Sequence, residues 1–212
     1  MNKSSIRYDI LKEVFNISAG KAANLLSEIT GKKIILKIPD VTILDRTKSN
    51  IELTDYLPIK FSGALMVSTI SFKENLAGKA NLIFPAEKMK TFIQLCLNEE
   101  VYDEDNLSLD FTDIDFDVIR EIGNIILNCI LGETSNLLDI KLQYSLPEVK
   151  VYNQITFTKA IYEKEYQHIL VLFITFIIDN TEIEGTIIVD LALQSLNELL
   201  RRIDLIGADT YV

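Results

Sequence analysis

Over residues 5–29 apolar side chains recur every three or four positions. Ile10, Leu11, Val14, Ala22, Leu25, Leu26 and Ile29 share one face, the pattern of an amphipathic helix, and Gly31 supplies its stop. Residues 34–44 read as a strand, with Pro39 pointing to an edge position or a bulge. Residues 45–62 are polar and rich in turn formers. Residues 64–72 and 79–84 then read as strands of a hairpin joined by 73–78, followed by a helix over 86–97. After an acidic stretch the same order restarts. Thr112 followed by Asp115 predicts a capping box and a helix reaching about residue 138. A strand over 141–153, again with an internal proline, precedes a second hairpin, 168–178 and 184–191 joined by 179–183. A closing helix is expected over 192–203.

The restart is a duplication. A shift of 108 carries Asp9 onto Asp117, Glu13 onto Glu121, Asn16 onto Asn124, Ile17 onto Ile125, Ser27 onto Ser135 and Pro39 onto Pro147. Near the hairpins the shift becomes 107 and takes Gly78 to Gly185. Helix, strand and hairpin recurring in register predict two copies, residues 5–97 and 112–204, within one pseudo-two-fold α+β domain spanning 1–212. Residues 98–111 would form the surface crossover between them. The expected sheet is mostly antiparallel, with the two long helices antiparallel to each other on one face.

Composition narrows the function. The net charge is −10, and residues 98–117 hold nine acids and no Lys or Arg, leaving 22 acids against 21 bases elsewhere. That balance lacks the basic footprint nucleic acid requires. With one histidine, a two-His metal site cannot be made within the chain. Cys96 and Cys129 form no CxxC pair and read as small buried hydrophobes of a reducing compartment. The first fifteen residues show no leader pattern, and the apolar run 169–178 is half the ~20 residues of a membrane helix. The expectation is a cytoplasmic chain without membrane insertion.

The candidate chemistry lies on the repeated helix. Residues three apart share a helix face, so Asp9, Lys12, Glu13, Asn16 and Gly20 gather opposite the apolar stripe. Asp117, Arg120, Glu121, Asn124 and Asn128 do so in the second copy. A lone Glu/Asn pair on such a face is usually only solubilising. Recurrence in register changes the weighing, and Asn is a middling helix former that propensity does not select.

The stretches DILKEVFNISAGKAANLLSEITG and DVIREIGNIILNCILG resemble the signature helices of the CheC/CheX/FliY phosphatases of bacterial chemotaxis. The recurring element order extends the resemblance over nearly the whole chain. Two copies, and an end soon after the last helix without the switch domain that FliY adds, resemble the CheC-like form. One departure is Phe15, where the family carries a small residue between Glu and Asn; Gly123 fits. The resemblance implies hydrolysis of the phospho-aspartate on a CheY-like response regulator. Asn16 and Asn124 would orient water, and Glu13 and Glu121 would dock the regulator. It implies no cofactor in this chain, the divalent metal belonging to the regulator. Two alternatives stay open: a non-enzymatic adaptor for the receptor deamidase CheD, and a structural relative of the flagellar switch. His168 reads as a structural histidine and Cys129 as core rather than nucleophile.

Overall fold

In the computed structural model the described residues are 3–45, 56, 63–97, 110–162 and 168–210. The expected polar loop, 45–62, therefore lies outside them save for Asp45 and Tyr56, and so does most of the acidic crossover. The elements are α1 (Lys3–Thr30), β1 (Ile34–Asp45), β2 (Leu65–Glu74), β3 (Gly78–Pro85), α2 (Ala86–Leu97), α3 (Asp113–Leu137), β4 (Leu142–Tyr144), β5 (Glu148–Tyr152), α4 (Gln154–Tyr162), β6 (His168–Ile178), β7 (Thr181–Leu191) and α5 (Leu193–Thr210).

The seven strands form one sheet, and every pairing is antiparallel. Their order is β1-β6-β7-β3-β2-β4, with β5 also paired to β2. If each strand is exchanged for its repeat counterpart, this order becomes its own reverse. The central register obeys the same exchange: Lys79 faces Asp190 as Ile83 faces Thr186, and Asn81 faces Ile188, its own counterpart. Strands of the two copies thus interleave: the β6–β7 hairpin of the second copy lies between β1 and the β2–β3 hairpin of the first, with β1 paired to β6.

Side-chain alternation divides the sheet into two faces. Met66, Ile70, Leu82, Leu170, Leu172 and Ile187 point into the main core with residues of α1, α2, α3 and α5. Leu65, Val67, Ile83, Ile169, Val171 and Ile188 point the other way, into a smaller cluster closed by Phe157 of α4 and flanked by Tyr56 and Tyr152. The two long helices pack against each other and against the sheet on the main-core side.

Local chemistry explains most boundaries. The hydroxyl of Thr112 accepts from the Asp115 amide while the Asp115 carboxylate accepts from the Thr112 amide, the expected capping box. Lys90 of α2 donates to the same carboxylate at 2.7 Å and fixes the start of α3. Gly31 takes the left-handed conformation that closes α1. The second hairpin turns on two residues, Asp179 and Asn180, both with positive φ, so β7 begins three residues earlier than the apolar pattern predicts.

Three expectations are corrected. In α1 the buried arc is Leu11, Val14, Phe15, Ser18, Ala19, Ala22, Ala23 and Leu26, whereas Leu25 and Ile29 are 44% and 65% exposed. In the last two turns the covered flank narrows to Ala23 and Leu26. The strand over 141–153 is two short strands, because Pro147 lacks the N–H a continuous ladder needs. Pro39 is accommodated within β1 instead, through a register shift between Lys37 and Asp40. Residues 154–162 form a helix, opened by Asn153, whose side chain accepts from the Thr156 amide at 2.8 Å.

Candidate functional site

Each repeated pair sits on the outer side of its long helix. Glu13 and Glu121 are exposed, and among the described residues neither makes a hydrogen bond or ion pair. Asn16 and Asn124 are half-buried one turn further on. Sequence reasoning places all four residues on the open face; the helices expose the two glutamates there and leave the two asparagines half-buried. The two asparagines are nevertheless held differently.

The Asn16 amide is fully used. Its Nδ2 donates to the carbonyls of Lys12 and Ile38, both at 2.9 Å, and its Oδ1 accepts from the Ile38 amide at 2.9 Å. Ile38 lies in the register shift of β1, where the ladder to β6 passes from Lys37 to Asp40. Asn16 takes the place of a neighbouring strand there and satisfies both backbone groups of Ile38. No sequence signal reveals this, since the two residues are 22 apart in different elements. In the second copy the position matching Ile38 is Leu146, 88% exposed. Its carbonyl accepts from Ser145 Oγ, and no bond joins it to Asn124.

Asn124 is bonded through one atom. Asn128 Nδ2 donates to Asn124 Oδ1 at 2.6 Å, leaving Asn124 Nδ2 without a partner among the described residues. The first copy has Gly20 where the second has Asn128. Nearby, Arg120 is engaged by Asp117, so the exposed Glu121 remains the unneutralised carboxylate of this ridge.

The residue between Glu and Asn sets how each helix meets the sheet. Gly123 is buried, and a Cβ there would lie 2.6 Å from the Ser68 Cβ of β2. Helix α3 approaches the strand as closely as glycine permits. Phe15, at the matching place, is 2% exposed and fills the core beside Phe72 and Leu131. A salt bridge between Lys21 and Glu133 spans α1 and α3.

Other chemistry-bearing side chains lie elsewhere. Burial pushes the Cys96 thiol up to about 12 and raises that of Cys129, so neither is a thiolate near neutral pH. His168 is buried at the start of β6 with Nδ1 4.0 Å from Asp45, and lines a hollow of about 320 Å³ with Arg7, Tyr8 and Asn197. Among the described residues no three His, Cys, Asp or Glu side chains converge as a metal site would require, and no helix is long and apolar enough to cross a membrane.

Comparison with known proteins finds relatives in sequence and in fold. Residues 7–43, covering nearly all of α1 and β1, match the CheC-like family. The chain is 30% identical over 146 residues to the CheY-P phosphatase CheC of Bacillus subtilis (strain 168). That alignment covers 68% of this chain and 65% of the relative, so the chain matches somewhat under two thirds of its length. In fold it resembles Thermotoga maritima FliY, with a TM-score of 0.71 at 17% identity, over 96% of this chain and 98% of that one. It resembles the FliM middle domain of H. pylori with a TM-score of 0.64 at 12% identity, over 95% and 99%. A CheX from Desulfovibrio desulfuricans superposes with a TM-score of 0.51 at 16% identity, over 84% and 99%. Over α1 and β1 the chain matches the CheC-like family, and its fold is shared with FliY and CheX.

Proposed function

We propose that this chain hydrolyses the phospho-aspartate of a CheY-like response regulator, and that Glu121 and Asn124 of α3 do most of the work. The observation that carries the reading is the Asn124 amide. It is half-exposed on a helix seated tightly on the sheet, bonded through Oδ1 alone, one turn beyond an exposed and unpaired Glu121. The name of the B. subtilis relative supports the same substrate class.

An amide is no base at neutral pH, but it can hold a water in line with phosphorus. Phosphoryl transfer asks the protein chiefly for positioning and electrostatics. The water oxygen bonds to phosphorus as the bond to the aspartyl oxygen breaks. The aspartate carboxylate leaves with the electron pair, and the water's proton passes to phosphate or solvent. Glu121 offers a fixed negative charge to a cationic side chain of the regulator and so sets the register of docking. The divalent metal that neutralises the phosphoryl group belongs to the regulator. Glu13 serves as a second docking carboxylate, while Asn16, with both Nδ2 hydrogens engaged, contributes less to the chemistry.

The test is phosphate release from a phosphorylated CheY-like regulator. Wild type accelerates it, and Asn16→Ala/Asn124→Ala, shown folded by circular dichroism, does not. A folded double variant as fast as wild type would show that these amides are not the catalytic device. An adaptor role, with CheD as the partner to try, would then take its place.

A further inference from the structure

We infer that Asn128 is a positioning residue for Asn124, and that through it the two Glu/Asn pairs are made unequal by construction. The inference rests on the phosphatase reading but makes claims that can be tested without it.

Each copy orients its asparagine, and does so with different atoms. In the first, backbone groups occupy Oδ1 and both Nδ2 hydrogens of Asn16. In the second, Asn128 occupies Oδ1 alone. The amide of Asn124 is thereby fixed in one of its two flip states, the one that leaves Nδ2 rather than Oδ1 unengaged among the described residues. Such an amide can donate to one lone pair of a water and leave the other free for phosphorus. A freely rotating amide would spend part of its time presenting the carbonyl instead.

Two further observations show that Asn128 is there for this bond. Its own Oδ1 is buried without a partner among the described residues, a condition that ordinarily disfavours a residue. Asparagine is also a poor choice within a helix, and the matching position in the first copy is Gly20. Neither packing nor helix propensity selects an amide at this place. A 2.6 Å bond to the side chain one turn back does.

The experiment uses the full chain with Asn128→Ala and Asn128→Asp, beside Asn124→Ala. The first readout needs no turnover: the side-chain amide signals of Asn124 in nitrogen–proton NMR spectra of the free protein. Removal of the donor in Asn128→Ala should shift them. An unchanged Asn124 signal would show that the bond does not hold the amide and would overturn the inference. The second readout is hydrolysis of a phosphorylated CheY-like regulator, with kcat and KM resolved. Asn128→Ala should lower kcat about five- to ten-fold, the worth of one net hydrogen bond, with KM unchanged. Asn128→Asp, nearly the same shape but only an acceptor when ionised, should turn the Asn124 amide over and lower kcat further than Ala does. A purely structural role predicts the opposite order, with the isosteric Asp the milder change, and that order would overturn the inference. Wild-type kcat in both Asn128 variants while Asn124→Ala is impaired would overturn it and leave the phosphatase reading standing. Wild-type kcat in Asn124→Ala as well would instead remove the reading on which it rests.

Discussion

The unequal hold on the two asparagines predicts that stability and activity rank the two Asn→Ala variants in opposite orders. Asn16→Ala removes the side chain that bonds both backbone groups of Ile38 where β1 shifts register against β6. Two half-buried bonds of 2.9 Å are lost, and an amide and a carbonyl are left to partial solvation. At about 1 kcal/mol net for each bond, with some further cost for the stranded groups, the loss is about 2–3 kcal/mol. For a chain of this length that corresponds to a fall in Tm of roughly 4–12 °C. Asn124→Ala loses one bond to a neighbouring side chain on the outer face and should stay within about 0.5–1 kcal/mol of wild type. Per folded molecule, hydrolysis should rank the other way, with Asn16→Ala near wild type and Asn124→Ala strongly impaired. Thermal and urea unfolding followed by circular dichroism, with phosphate release measured well below both transitions, gives the two rankings from the same samples. Equal stabilities for the two variants would refute the strand-substitute role of Asn16. Equal losses of turnover would refute the assignment of the chemistry to the second copy.

Gly123→Ala forces a methyl against Ser68 and should destabilise by about 1–3 kcal/mol while lowering turnover through displacement of α3; adding Ser68→Gly should recover much of both, as unfolding and phosphate-release assays would show. Burial alone would raise the Asp115 carboxyl, but its bonds from Lys90 and Thr112 outweigh that and hold it below its ordinary value. Its contribution is therefore present above the unfolded-state value, about 3.9, and is lost as pH falls through the lower folded one, so acid-unfolding curves of Asp115→Asn should be flatter than wild type in that range. Cys96, half-buried and pushed up to about 12 by burial, should resist alkylation by iodoacetamide at pH 7.5 in the native chain and react on unfolding in urea; rapid native labelling would contradict its partial burial.

The fold was legible because its signals are local and repeated. Period-3.6 and period-2 patterns, the Thr112 capping box and the shift of 108 between copies each depend on residues close in sequence or on simple self-comparison. The Glu/Asn ridge was legible for the same reason. What escaped depends on tertiary placement. Leu25 and Ile29 belong to the apolar stripe, yet none of the described residues covers them at the end of α1. Pro39 and Pro147 are identical in the alignment of copies, but one is absorbed by a bulge and the other divides a strand. The bond of Asn16 to Ile38 follows from that bulge, and so does the inequality of two sites that look alike in sequence.

The interleaved strand order bears on how such a chain can be taken apart. Because β1 is paired to β6 and β3 to β7, cutting the chain between the copies would leave each half with strands whose partners are on the other half. Two halves mixed together should reassemble the sheet, and two identical halves could form it around a true axis. At that axis a homodimer would have to place one residue against itself. Here the position is occupied by Asn81 facing Ile188, and Asn81 Nδ2 reaches across to the Ile188 carbonyl at 3.2 Å. Joining the copies in one polypeptide frees that point from matching itself, and the same freedom lets Asn16 become a fastener while Asn124 remains a tool.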